Sequence, residues 1–167
     1  LLYRSKDLLV DWRFCGEIKT QYNDFGRMWE CPNYLQLDGK DIICFCPQGL
    51  DAEEFKYQNL FQSGYLIGTL NFKNLEFSHN TFKEFDYGFD FYAPQIFSDS
   101  NRNILIGWAG MPEKEEEYPT VEDGYLYTLT LPREIKLKND VIYQKPIEEI
   151  YNLRKNRITN EKINNNI

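Results

Sequence analysis

One ten-residue stretch, Met28-Trp29-Glu30-Cys31-Pro32-Asn33-Tyr34-Leu35-Gln36-Leu37, narrows what this chain can fold into more than any other. From Cys31 onward apolar and polar residues alternate with the period of a half-buried strand. Pro32 has no N–H and belongs near a strand's beginning or at an edge. The pattern predicts a strand over Cys31–Leu37 with Glu30 just outside its regular ladder, a carboxylate at the strand mouth. An aromatic neighbour such as Trp29, by excluding water, favours the protonated acid that a proton donor must be. On spacing alone two readings stand, an ordinary strand-entry acid or a group that does chemistry.

The rest of the chain repeats the strand signal. Leu1–Ser5, Arg13–Ile18, Asp41–Cys46, Gly64–Leu70, Phe72–Phe77, Thr81–Phe85, Phe91–Phe97, Ile104–Trp108, Tyr125–Leu131, Glu134–Lys138 and Val141–Gln144 all read as strands. Asp38-Gly39 and Asn139-Asp140 mark hairpin tips. Asp51–Lys56 is polar and reads as helical, the charged loop Pro112–Pro119 as a solvated face, and Asn156–Ile167 as a low-complexity tail. Many short strands at even spacing indicate an all-β fold, either a sandwich or radially repeated four-stranded sheets. Two strands begin alike: Glu30 precedes Cys31-Pro32, and Asp90 precedes Phe91-Tyr92-Ala93-Pro94. Innermost strands of successive propeller blades would aim Glu30 and Asp90 at one channel.

Charge and cysteine usage exclude several functions. With 26 acidic against 19 basic residues, a net charge of −7, the chain offers no basic patch for nucleic acid, and a neutral substrate fits better. No apolar run is long enough to cross a bilayer, so no membrane partner is expected. Cys15, Cys31, Cys44 and Cys46 match neither a zinc spacing nor Cys-x-x-Cys, and no metal or organic cofactor is called for. Free thiols favour a reducing, cytoplasmic setting. Twelve Tyr, twelve Phe and three Trp leave aromatic rings to spare for a surface that stacks on sugar-like ligands.

Taken together, Trp29-Glu30-Cys31-Pro32, Phe85-Asp86-Tyr87-Gly88-Phe89-Asp90-Phe91-Tyr92-Ala93-Pro94-Gln95 and Ile104-Leu105-Ile106-Gly107-Trp108 resemble glycoside hydrolase family 32, the invertases, sucrose-6-phosphate hydrolases and fructanases. Leu2–Leu8, Leu129–Glu134, Gln144-Lys145-Pro146 and Tyr151–Arg154 extend the resemblance over nearly all of the chain outside its tail. The resemblance implies the later blades of a five-bladed β-propeller over residues 1–150, with 151–167 as a linker toward a β-sandwich. It implies hydrolysis of the fructosyl bond of sucrose or sucrose 6-phosphate by a retaining double displacement. Glu30 would be the general acid/base, Asp90 and Tyr92 hydrogen-bonding partners of the sugar, and Trp108 a stacking surface.

The family's nucleophile motif, Trp-Met-Asn-Asp-Pro-Asn-Gly, and its Arg-Asp-Pro motif do not occur in the sequence. The expectation is therefore a chain that needs the preceding blades to act. The competing expectations are a non-catalytic carbohydrate-binding propeller and an extracellular fructan hydrolase.

Overall fold

In the computed structural model, residues 1–99, 101–115 and 118–155 are described; the Asn-rich tail from 156 onward, Ser100 and Glu116-Glu117 of the charged loop lie outside them. Twelve strands are formed among the described residues, in three antiparallel sheets. β1 (Leu2–Arg4) pairs with β2 (Arg13–Gly16). β3 (Met28–Leu37), β4 (Lys40–Gln48), β5 (Gly64–Asn71) and β6 (Glu76–His79) follow in that order across one sheet, with the short β7 (Lys83–Glu84) sharing the outer edge of β5. β8 (Phe91–Asp99), β9 (Arg102–Ala109), β11 (Arg133–Lys138) and β12 (Val141–Pro146) build the second sheet, and β10 (Thr128–Leu129) extends the far edge of β9 beside β11. Two four-stranded antiparallel meanders packed face to face, with the first strand of each, β3 and β8, joined side by side at one inner end by Asn33, have the arrangement of successive propeller blades rather than of a sandwich. No helix among the described residues is long and apolar enough to cross a membrane.

Turn chemistry explains where the strands stop. Asp38 and Gly39, at φ 49° and 74°, make the β3–β4 tip, and Asn139 and Asp140, at 51° and 56°, make the β11–β12 tip. Two positive φ values in a two-residue loop match the right-handed twist of the flanking strands. The strand expected over Phe72–Phe77 is displaced: residues 72–75 form the turn after β5, and β6 runs over Glu76–His79. Asn71 and Asn74 each accept a hydrogen bond through their side-chain oxygens from the backbone N–H two residues on, at 2.9 and 3.2 Å, and turn the chain before β6. Asp51–Lys56 is likewise not helical: Glu53 and Lys56 exchange backbone hydrogen bonds at 3.0 and 2.6 Å in a tight turn.

The core lies between the blades. Leu37, Ile42, Cys44, Tyr65 and Ile67 of the first pack on Phe91, Leu105, Ile135 and Ile142 of the second. A second cluster, Phe45, Leu66, Leu70, Phe77 and Phe82, covers the other face of the first blade, where Ile18, Tyr22, Phe25 and Trp29 close it. Polar bonds pin the seam as well as apolar burial. The backbone N–H of Ile142 donates to the Tyr65 hydroxyl at 3.1 Å, and the Ser63 hydroxyl donates to the carbonyl of Phe91 at 3.1 Å.

The innermost strands β3 and β8 share one irregularity. The ladder slips between Glu30 and Asn33 in β3 and between Tyr92 and Gln95 in β8, and the residue before each proline, Cys31 or Ala93, has φ of 49° or 45°. Both are bulges, where a strand tolerates a residue with no N–H. Glu30 therefore sits inside the ladder opposite Cys46 rather than outside it. The repeat is also shifted by two: by position in the bulge, Tyr92 and not Asp90 is the counterpart of Glu30. Asn33 clamps the two bulges together. Its Nδ2 donates to the carbonyls of Cys31 and Pro94, both at 3.1 Å, while its Oδ1 accepts from the N–H of Ile96 at 3.1 Å. Asn33→Ala removes these bonds and strands the Ile96 amide. Chemical denaturation is expected to report a loss of roughly 1–3 kcal/mol.

Candidate active site

Glu30 is half-buried at the inner end of the seam. Its Oε2 accepts two hydrogen bonds, from Gln48 Nε2 at 2.9 Å and from the Tyr92 hydroxyl at 2.8 Å. Gln48 Nε2 also reaches the Tyr92 oxygen, at 3.3 Å, which closes a three-membered ring of polar contacts across both blades. β-Pairing places them. Glu30 faces Cys46 and Met28 faces Gln48, so Glu30 and Gln48 are diagonal neighbours on one face of the sheet. The bulge at Cys31-Pro32 bends β3 toward β8, where its counterpart bulge presents Tyr92.

Trp29, adjacent to Glu30 in sequence, points to the opposite face, where its ring stacks on Phe45 with centroids 3.9 Å apart and its indole N–H donates to the carbonyl of Phe25 at 2.6 Å. The aromatic ring that meets the carboxylate is therefore Tyr92, 2% exposed in a cluster with Cys46, Phe61 and Met111. Burial first, and the Glu30 carboxylate as well, push the Tyr92 phenol far above its ordinary range. It stays protonated, a fixed donor. Cys31 is also raised, by burial and then by the neighbouring Glu30 charge, and buried Cys46 is pushed up to about 12. Neither thiol is poised as a nucleophile.

Asp90 stands one residue before β8 with φ of 44° and accepts a 2.7 Å hydrogen bond on Oδ2 from the Tyr118 hydroxyl. It lines a cleft of about 580 Å³ with Gln58, Asn59, Phe89 and Tyr118, and Phe89 is almost wholly exposed there. Tyr118, at the end of the charged loop, thus orients the half-buried Asp90 carboxylate. Trp108 pairs with Tyr92 across β8–β9, lies half-buried against the Cys46–Tyr92 cluster, and meets Tyr127 edge-on at 4.5 Å. Of the four residues singled out from sequence, Glu30, Tyr92 and Trp108 converge at the seam, and Asp90 lies on the cleft beside it. The Tyr92 hydroxyl serves Glu30 and Gln48 here.

Sequence reasoning missed Gln48, Asn33 and Tyr118. The hairpin register fixed by Asp38-Gly39 alone would have put Glu30 opposite Pro47; the one-residue slip at the Cys31-Pro32 bulge, which the sequence did not announce, moves it opposite Cys46 and makes Gln48 its diagonal neighbour. Nothing local announced Tyr118, whose partner is 28 residues away. Among the described residues no group of His, Cys, Asp and Glu forms a metal-binding cluster.

Two propeller blades thus present one oriented, half-buried carboxyl at the inner end of their seam, one of the two carboxyls that a glycosidase site requires. Residues 1–146 match the glycosyl hydrolases family 32 N-terminal domain, and the chain belongs to that family. It is 48% identical over 160 residues to the sucrose-6-phosphate hydrolase of Staphylococcus xylosus, an alignment covering 95% of this chain and 32% of that protein. Among solved structures it resembles the Bombyx mori GH32 β-fructofuranosidase (TM-score 0.85, 40% identity, 95% of this chain and 34% of that one). The sucrose-6-phosphate hydrolase of Lactobacillus gasseri is similar too (TM-score 0.80, 32% identity, 92% and 32% covered). The chain spans about a third of the length of these relatives.

Cys31 offers a reporter of the charge beside it. Its alkylation by iodoacetamide is expected to need a higher pH than a free thiol does, and Glu30→Gln should bring the midpoint down by removing the second cause of the shift. Rates read by mass spectrometry of the labelled peptide check this.

Proposed function

We propose that this chain supplies the acid/base portion of a retaining β-fructofuranosidase, with sucrose 6-phosphate or sucrose as substrate. The observation that carries the reading is the Glu30 carboxyl, held on one oxygen by two donors. In the first step a nucleophilic carboxylate, roughly 5 Å from the acid in retaining enzymes, attacks the anomeric carbon. The glycosidic C–O bond breaks, and the proton of Glu30 passes to the departing sugar oxygen. In the second step Glu30, now ionised, takes a proton from water as that water attacks the same carbon and frees the nucleophile. Asp90, steadied by Tyr118, is suited to accept hydrogen bonds from sugar hydroxyls, and the half-buried Trp108 to pack against a ring.

The substrate assignment leans on the relatives. Curated homologues at 41–48% identity from Bacillus subtilis and Staphylococcus xylosus are sucrose-6-phosphate hydrolases. A variant of the Bombyx mori enzyme has been solved with sucrose. A phosphorylated sugar does not diffuse across membranes, so a hydrolase of sucrose 6-phosphate belongs in the cytoplasm. The nucleophile is assigned to blades outside this sequence, which lacks the family's Asp-Pro-Asn-Gly segment.

In the full-length protein Glu30→Gln is expected to lower kcat/KM for sucrose by roughly 10²–10⁴-fold, the range for loss of a general acid. It should leave p-nitrophenyl β-fructofuranoside, whose leaving group needs no proton, far less affected. Equal losses on both substrates would contradict the acid role, and sucrose binding without hydrolysis by the unmutated protein would favour a carbohydrate-binding module. The 167 residues alone are expected to hydrolyse neither substrate.

A further inference from the structure

We propose that Gln48 is a positioning residue for Glu30: it fixes which carboxyl oxygen carries the catalytic proton. The inference rests on the acid/base reading of Glu30. Both hydrogen bonds to the carboxyl end on Oε2, one from Gln48 Nε2 at 2.9 Å and one from the Tyr92 hydroxyl at 2.8 Å. An oxygen that accepts from an amide N–H and a phenol O–H is a poor place for an added proton. Protonation is therefore directed to Oε1, the oxygen that receives neither bond. The proton to be donated has one address, and a single rotamer presents it.

Gln48 contributes twice to this arrangement. The same Nε2 lies 3.3 Å from the Tyr92 oxygen, and by donating there it polarises the phenol and strengthens the bond that Tyr92 gives to Glu30. Its backbone is pinned at the end of β4. Arg27 N–H donates to the Gln48 carbonyl at 2.8 Å, Gln48 bridges to Phe61, and Gln62 N–H donates to the adjacent Pro47 carbonyl at 3.3 Å. Gly26, at φ 75°, passes so close that a Cβ there would lie 2.5 Å from the Gln48 carbonyl oxygen. A strand end held this firmly suits a side chain that must not wander.

When Glu30 is ionised, both donors stabilise its charge; removing one makes the proton harder to lose. A change at Gln48 should therefore move the alkaline limb of the rate profile to higher pH, a readout that a merely structural residue would not alter. It should also weigh on substrates that need a proton more than on those that do not.

The test uses the full-length protein with Gln48→Met, close in length but without a donor. The reading predicts a fall in kcat/KM for sucrose of roughly 10- to 100-fold, the range for a hydrogen bond to a charged group. It predicts a smaller fall for p-nitrophenyl β-fructofuranoside, and an alkaline limb at higher pH. Should the Met variant fail to fold by circular dichroism, Gln48→Leu, which likewise removes the donor and adds no charge, is read in the same way. Equal losses on both substrates, or an alkaline limb that stays where it was, overturn the proposal. If the unmutated protein hydrolyses neither substrate, the functional reading beneath it fails instead.

Discussion

The structure turns on a contact between two blades in which Gln48 of β4 and Tyr92 of β8 donate to one oxygen of Glu30 in β3. Neither blade could hold that carboxyl alone. Glu30 and Gln48 come from one hairpin, whose register gives the diagonal pair, but the second donor arrives from a strand 62 residues away. The acid is thus assembled only when the seam closes, and the seam closes because the Leu37–Ile42–Leu105–Ile135 core lies behind it. Packing of the apolar faces and orientation of the polar tip are one event.

The bulges link fold to site. β3 and β8 are the inner edge strands of their sheets, where a proline without an N–H is tolerated, and each carries its proline, Pro32 or Pro94, at a bulge. The register slips at Glu30/Asn33 and Tyr92/Gln95 bend these two strands where they lie side by side. Asn33 then takes up the polar groups the bends expose, bonding the carbonyl of Pro94 and the amide of Ile96. The positive φ of Cys31 and Ala93 is backbone strain located beside the candidate catalytic acid, a frequent place for it.

Most of the fold was legible in the sequence because its strands are short, separated by turn residues whose φ preferences are local, and alternate in polarity. Asp38-Gly39 and Asn139-Asp140 announced their hairpins and formed them. The Phe72–Phe77 pattern misled because Asn71 and Asn74 bond their own backbone, a choice that apolar periodicity does not weigh. At the site, Glu30 was legible from its motif. Its environment was not, because Trp29 is adjacent in sequence yet points away, while Tyr92 is distant in sequence yet makes the contact. Equating Glu30 with Asp90 followed the acidic residues; equating it with Tyr92 follows the bulge, which only the ladder reveals.

The most direct test of the claim that Glu30 moves the proton is chemical rescue of Glu30→Ala in the full-length protein. With p-nitrophenyl β-fructofuranoside as substrate, azide should restore turnover by replacing the water that Glu30 would activate, and the product should be β-fructosyl azide with retained configuration. Absence of both rescue and fructosyl azide, with wild-type hydrolysis intact under the same conditions, would contradict the assignment of Glu30 as acid/base.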